Sequence, residues 1–465
     1  MGPRSPTATV LLAALLVLAG CSTILGDGAT PAPTDDGTTP APTDADDPAT
    51  PTPAPSPAAT PTTAPPTPTT TPTPTSTMTP TLTPSPTPTP TAIPSPTPTA
   101  TPAPPSNNGS DGVGESDRIV VRGGELPVNA TAVYQRVERL MDADAPEPTV
   151  EVTDADRIDF STGDLTASTE ALGYRRGDGS ISECGQFYPA SAGGDTVTIA
   201  PGNLSAASVE LVLAHEYVHI VQDEVEGYDR VGEIERYDVD HALTEGSAVY
   251  VADRYADRYD KRWNGTTPLG IRECIYDRIG DGRRDLAGRY YFGGLHFEQR
   301  IDSPTNLSTV YRAPPRTTEQ VIHGLAPDAE PVANLSVSVR QRGRWIGDTR
   351  ERAGELRLRS WLYTGLPADR ADTAATGWGA DEILTFERGD RTSVAWVLRM
   401  DSAEDADELA AAVGDLEATL ESRDATSVET ARASDEAVVV FAGPDSFAAD
   451  AEATGTAGDI TVTVP

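Results

Sequence analysis

Chemistry concentrates at His215-Glu216-Tyr217-Val218-His219. Residues four apart on a helix project from one face, so His215 and His219 can offer ring nitrogens to a single metal ion. Glu216 sits one step round, where it reaches a water on that metal without entering the coordination sphere. That is the place a general base needs. With five histidines in the chain, a chance H-E-x-x-H arises on the order of once in three hundred such compositions. The competing reading, two helix histidines merely satisfied by hydrogen bonds, is the weaker one. A tetrahedral catalytic zinc also needs a third protein ligand and an open position for water. Glu245 is the best candidate, within Leu243-Thr244-Glu245-Gly246-Ser247-Ala248 on the next expected helix, where small residues let two helices approach closely. Asp240 and His241 are rivals, but their place at the helix start suits capping or support.

The elements that must position these groups follow from hydrophobic period and caps. Ser205 opens a helical pattern to about residue 225, with Val209, Val212, Leu213, Val218 and Val221 as its apolar positions. A second helix is expected over about 240–259. A third is expected over about 286–301, although Gly293-Gly294 weakens it. Upstream, Asn129 caps a helix with Val133, Val137 and Leu140 on one face, and Thr196 to Ile199 alternates as a short strand. The last hundred residues read as a hairpin turning at Arg388-Gly389-Asp390, a helix capped by Ser402 with Leu409, Val413, Leu416 and Leu420 on one face, and a buried strand from Ala437 to Phe441. The expected class is α+β: a mainly helical core over 112–345 preceded by short strands, then a smaller α+β module over 346–465.

His215-Glu216-x-x-His219-x-x-Gln222-Asp223, followed by Thr244-Glu245-Gly246-x-Ala248, resembles the gluzincin group of zinc metallopeptidases. The third ligand in that group is a glutamate on the following helix. The resemblance implies one zinc on His215, His219 and Glu245, with Glu216 as base and a peptide or protein as substrate. Two later segments, Pro314-Pro315-x-Thr317-Thr318-Glu319-Gln320-x-x-His323 and Gly377-Trp378-Gly379-Ala380-Asp381, are similar to segments of secreted proteins that contain H-E-x-x-H. Gluzincins use a histidine or tyrosine to stabilise the oxyanion. His323 is the first candidate for that catalytic role, and Tyr290, Tyr291 and His296 follow. The alternative function is a non-catalytic surface-layer-associated structural or binding protein that retains the scaffold.

The first 21 residues read as an address. Arg4 precedes an apolar run from Val10 to Leu18, too short to span a bilayer stably, and Leu18-Ala19-Gly20-Cys21 resembles the lipobox of secreted lipoproteins. That resemblance implies cleavage before Cys21, lipid attachment to its thiol and a location on the outer face of the membrane. An ordinary signal peptide or a retained anchor is the alternative. Residues 22–111 form an expected disordered stalk. Its Thr, Pro, Ala and Ser cannot bury enough apolar surface to offset the entropy of folding, and its hydroxyls suit O-glycosylation. Sequons begin at Asn108, Asn129, Asn203, Asn264, Asn306 and Asn334. If Cys21 is lipidated, Cys184 and Cys274 remain as a candidate disulfide, with two buried free thiols as the alternative.

The chain has 71 acidic side chains against 35 basic ones, a net charge of -36, so a nucleic-acid partner, which needs a basic face, is excluded. Lys261 is the only lysine. An acidic, arginine-biased surface is what very high salt demands, because at molar salt the Debye length is only about 3 Å and self-repulsion is screened. Lipobox, stalk and acidic composition together are similar to a family of halophilic archaeal surface lipoproteins.

Overall fold

The computed structural model describes residues 119–465 apart from 159–164, 176–180, 186–188, 235 and 423–425. The signal peptide, Cys21, the stalk and Asn108 lie outside the described residues. Chain order begins with β1 (Val120–Arg122), α1 (Ala130–Met141), β2 (Thr149–Val152), α2 (Ala167–Ala171), β3 (Ala190–Gly193) and β4 (Thr196–Ile199). The helices α3 (Ala206–Gln222), α4 (Tyr237–Arg258), α5 (Pro268–Arg278), α6 (Arg284–Arg300), α7 (Leu307–Tyr311) and α8 (Thr318–Ile322) follow. Caps set the boundaries: Asn129 accepts from Ala132 N–H ahead of α1, and Ser205 accepts from Ser208 N–H ahead of α3. The four strands form one sheet ordered β1-β2-β4-β3, parallel except for the antiparallel β3. Their core partners are the apolar faces of α1 (Val133, Tyr134, Val137) and of α3 (Val209, Leu213, Tyr217). Nearly every side chain of α3 from Ser208 onward is buried, as expected of a helix apolar on all sides.

The second half contains β5 (Ser336–Gln341), β6 (Ile346–Glu351), α9 (Gly354–Leu362), α10 (Ala368–Ala375), β7 (Trp378–Arg388), β8 (Arg391–Met400), α11 (Ala403–Glu421), β9 (Ser427–Arg432), β10 (Ala437–Gly443), α12 (Asp445–Ala448), β11 (Glu452–Thr456) and β12 (Asp459–Val464). The hairpin is β7–β8, with Arg388 paired to Arg391 and Gly389 at φ 68°, a backbone that glycine adopts without strain. The sheet β6-β7-β8-β10-β9 is antiparallel and covered on both faces. Ile383, Trp396, Val438 and Val440 point to α9, α10 and α11, whereas Leu384, Val397, Val439 and Phe441 point to Trp345, Phe447 and the strands β11-β12-β5. Alternation along each strand therefore feeds two cores, and this explains why Val438-Val439-Val440-Phe441 is apolar without interruption.

The molecule is α+β, helical first and sheet-rich later. β5 precedes the boundary expected at residue 345, yet pairs in parallel with β12. Trp361 Nε1 donates to Leu172 O at 2.9 Å across the same boundary, and the described residues form one compact unit. Cys184 and Cys274 are joined, tying the turn over 181–184 to α5. Asn129, Asn203, Asn264, Asn306 and Asn334 are all exposed. Among the described residues no helix is long and apolar enough to cross a membrane.

The helix crossing that matters most is α4 on α6. A Cβ built on Gly246 would collide with the Gly293 backbone, and one built on Gly293 would collide with Ala242 O. Two glycines that weaken their helices thus allow backbone-to-backbone contact. Gly293→Ala should destabilise the fold by about 1–3 kcal/mol through overpacking. Gly414→Ala, on an exposed turn of α11 where a Cβ meets nothing within 4 Å, should stabilise it by about 0.5–1 kcal/mol. Denaturant unfolding in molar salt reads both, and equal midpoints would show that the crossing tolerates a methyl group.

Candidate metal centre

His215 and His219 lie on consecutive turns of α3, and Glu245 enters from the third turn of α4. The three bring ligand atoms within 4.8 Å of one another and are 6%, 8% and 0% exposed. Glu245 Oε2 lies 3.2 Å from His215 Nε2 and 3.5 Å from His219 Nε2. Donors about 2.0–2.1 Å from a shared ion at a tetrahedral angle sit about 3.3 Å apart, so the spacing fits a tetrahedral metal. The three residues can hold a metal ion.

Protonation states agree with that use. Burial lowers His215 to about 4, against the opposing pull of Glu245, so its imidazole is neutral near pH 7. Burial alone would raise Glu245, but His219, His215 and His241 outweigh it and hold the carboxyl well below its ordinary value. A neutral His215 imidazole beside an ionised Glu245 is what a cation requires of such ligands.

One ring is oriented by Gln222. Its Nε2 donates to Thr244 O at 2.8 Å and to Ser247 Oγ, which turns Oε1 toward His219 Nδ1 at 2.9 Å. With Oε1 as acceptor, Nδ1 carries the proton and Nε2 faces Glu245 with a lone pair. Gln222 therefore couples α3 to the turn of α4 that carries Glu245.

Glu216 is 1% exposed and its Oε1 has no hydrogen-bond partner among the described residues. Burial pushes its carboxyl up to about 8, against the pull of His219 and Arg272. Of the rivals for the third ligand, His241 meets the Tyr290 ring edge-on at 5.5 Å between centroids, and it is Glu245 that joins the two histidines.

The candidates for oxyanion stabilisation separate in space. His323 ends α8, and its Nε2 lies 3.2 and 3.1 Å from the two oxygens of Glu355. Glu355 also accepts from Arg359 Nε at 2.7 Å, so His323 belongs to an ion cluster joining α8 to α9. His296 is buried against the backbone of Gln320 and Val321, and Tyr291 donates to Glu273. Tyr290 is the candidate at the metal site, its ring stacked on His215 with centroids 6.4 Å apart. Spacing missed Arg272 altogether. It lies on α5, a helix with no expectation attached, and its charge faces Glu245 and Glu216. The two later motif segments carry caps. Thr317 accepts from Gln320 N–H ahead of α8, and Asp381 accepts from Ala353 N–H, Gly354 N–H and Trp396 Nε1 ahead of α9.

Residues 341–464 match a family described as a domain of unknown function, DUF8575. No curated protein and no solved structure matches the chain. The metal centre lies outside the matched segment.

Replacing Gln222 by Met removes the acceptor that fixes the His219 ring. Zinc titrated calorimetrically into chelator-treated protein should bind about 10–100-fold more weakly, and undiminished affinity would show that packing alone orients the ring. A second prediction concerns Glu319, which burial, with Glu355, Asp401 and Glu330 nearby, pushes up to about 9. A carboxyl whose folded pKa is raised binds more protons folded than unfolded, so it costs stability as pH climbs from about 4.5 toward 9. Glu319→Gln should melt higher than the parent at pH 8 and equally at pH 4, and a gain that is independent of pH would assign the effect to packing.

Proposed function

We propose that the protein is a zinc metallopeptidase, exported and held at the outer face of the cell membrane through a lipid on Cys21, with the residues up to 111 as its stalk. The observation that carries the reading is Glu216: a buried carboxyl with an unpartnered oxygen, one residue from a buried pair of histidines and a glutamate. A purely structural metal site has no use for such a group, whereas hydrolysis needs a base that neither coordinates nor is tied up by a neighbour.

Two imidazole nitrogens and one carboxylate suit zinc, and three protein ligands leave a fourth position open. A zinc ion held by His215, His219 and Glu245 would supply a Lewis acid that polarises a carbonyl and acidifies water. In its ionised form, which a cation on the adjacent ligands would favour, Glu216 Oε1 takes a proton from the attacking water as the water oxygen bonds to the carbonyl carbon. It returns that proton to the nitrogen as the carbon–nitrogen bond breaks, leaving a carboxylic acid and a free amine.

A peptide substrate is supported by β3. It is the terminal strand of its sheet, pairs with β4 alone among the described residues, and packs on α3. An extended segment adding to that edge runs along the helix that carries the site. Outward location is supported by exposure of every described sequon and by the Cys184–Cys274 bond, which oxidising surroundings maintain.

Glu216→Gln keeps the shape and loses the proton carrier. The variant should retain about one zinc per chain while hydrolysis of a fluorescent-labelled casein in molar salt falls to background, and a variant that still cleaves would remove Glu216 from the reaction.

A further inference from the structure

Arg272 is a cation brought to the metal site by an element that the H-E-x-x-H pattern does not contain. Its helix, α5, is anchored by Cys274, two residues on, to Cys184. From there the guanidinium Cζ sits 4.3 Å from the centre of the Tyr290 ring, the same ring that stacks on His215. Among the described residues Nη1 has no hydrogen-bond partner, and it is shut off from solvent. A guanidinium is charged at any pH a protein survives, so leaving one of its donors buried and unused is costly unless something arrives to receive it.

Charge around the site indicates what arrives. Arg272 lies beside Glu216 and Glu245, and the ring it covers, Tyr290, stacks on His215. A fixed guanidinium donor next to side chains that can hold a cation is complementary to a new negative charge, such as the one that forms on a carbonyl oxygen when water adds to its carbon.

We propose that Arg272 Nη1 donates to the scissile carbonyl oxygen as it becomes an oxyanion, which makes Arg272 a catalytic residue. The inference rests on the metallopeptidase reading and adds the donor that reading leaves open. Arg272 makes and breaks no covalent bond. As water adds, the carbonyl π electrons move onto the oxygen that Nη1 holds, and they return when the nitrogen leaves. Because this bond strengthens only as charge develops, its loss should fall on kcat rather than KM.

The test uses the full chain, loaded with zinc, in molar salt. Arg272→Met and Arg272→Gln are compared with the parent for zinc content, melting temperature, kcat and KM on a fluorogenic peptide with free or amidated C-terminus, and affinity for a phosphinic dipeptide. The tetrahedral anion of that inhibitor imitates the oxyanion. At least one variant should keep its zinc and melt like the parent, with kcat lowered about 10²–10³-fold and KM unchanged. Phosphinate affinity should fall by a similar factor. Parental kcat and phosphinate affinity overturn the inference. A KM that rises for the free C-terminus alone overturns it in favour of a carboxylate anchor, and loss of zinc or early melting in both variants overturns it in favour of a structural role. A parent that takes up zinc and cleaves nothing overturns the metallopeptidase reading as well, whereas an active parent matched by its variants overturns only the role of Arg272.

Discussion

Glu245 is an ionised carboxylate with no solvent exposure, and the surrounding helices are arranged to make that tolerable. Removing a carboxylate from water costs several kcal/mol, roughly, unless opposite charge and donors replace the lost hydration. Here the replacements are two imidazoles on α3, which must therefore lie within hydrogen-bond reach of α4. Gln222 spans the same gap, accepting from a ring of α3 while donating to the backbone of α4. On its other side α4 is pressed on α6 at Gly246 and Gly293, so Glu245 has little freedom to retreat. Arg289 on α6 reinforces that crossing through Asp238 at 2.7 Å. A metal ion can complete this arrangement, since it would bring positive charge to the carboxylate.

Three other buried carboxylates are settled by protein partners instead. Glu210 receives Arg136 at 2.7 Å, Lys261 at 2.9 Å and the Tyr255 hydroxyl at 2.7 Å. Glu355 receives His323 and Arg359, and Asp381 receives two backbone N–H groups and an indole. Against these satisfied clusters, the unpartnered oxygen of Glu216 and the unpartnered Nη1 of Arg272 stand out, and both face the same metal site. Buried polar groups left without partners beside side chains that can hold a metal ion are where a ligand is expected. The strong acidity of the surface has no part in this chemistry. It is a solvent-facing property, and the interior charges are balanced locally.

The sheet-rich half contributes to the site indirectly. Its five-stranded sheet buries both faces, and α9, which packs on that sheet, also holds α8 through Glu355 and His323. The segment from Thr317 to His323 is thus a capped turn of helix whose polar residues are spent on structure. Thr317, Gln320 and His323 each have a defined backbone or ion partner.

The sequence by itself determined what depends on neighbours along the chain. Asn129, Ser205 and Ser402 cap the helices they were expected to cap, since a capping side chain reaches only two or three residues ahead. The pairing of His215 with His219 follows from helical period alone, and the hairpin at Gly389 follows from a turn that needs a positive φ. Glu245 was legible because small residues flank it on a periodic helix. What tertiary structure decided is whatever joins distant segments. The short strands β1 and β2, the parallel pairing of β5 with β12 and the α5 helix have weak local signals, and long-range contacts select them. Gly293-Gly294 read as a weakness of helix α6, and only the crossing with Gly246 makes it a requirement. His323 and Arg272 exchange importance for the same reason. A histidine scarce in the sequence is claimed by Glu355, while one arginine among many is carried to the metal site, because partners are assigned by packing and not by spacing.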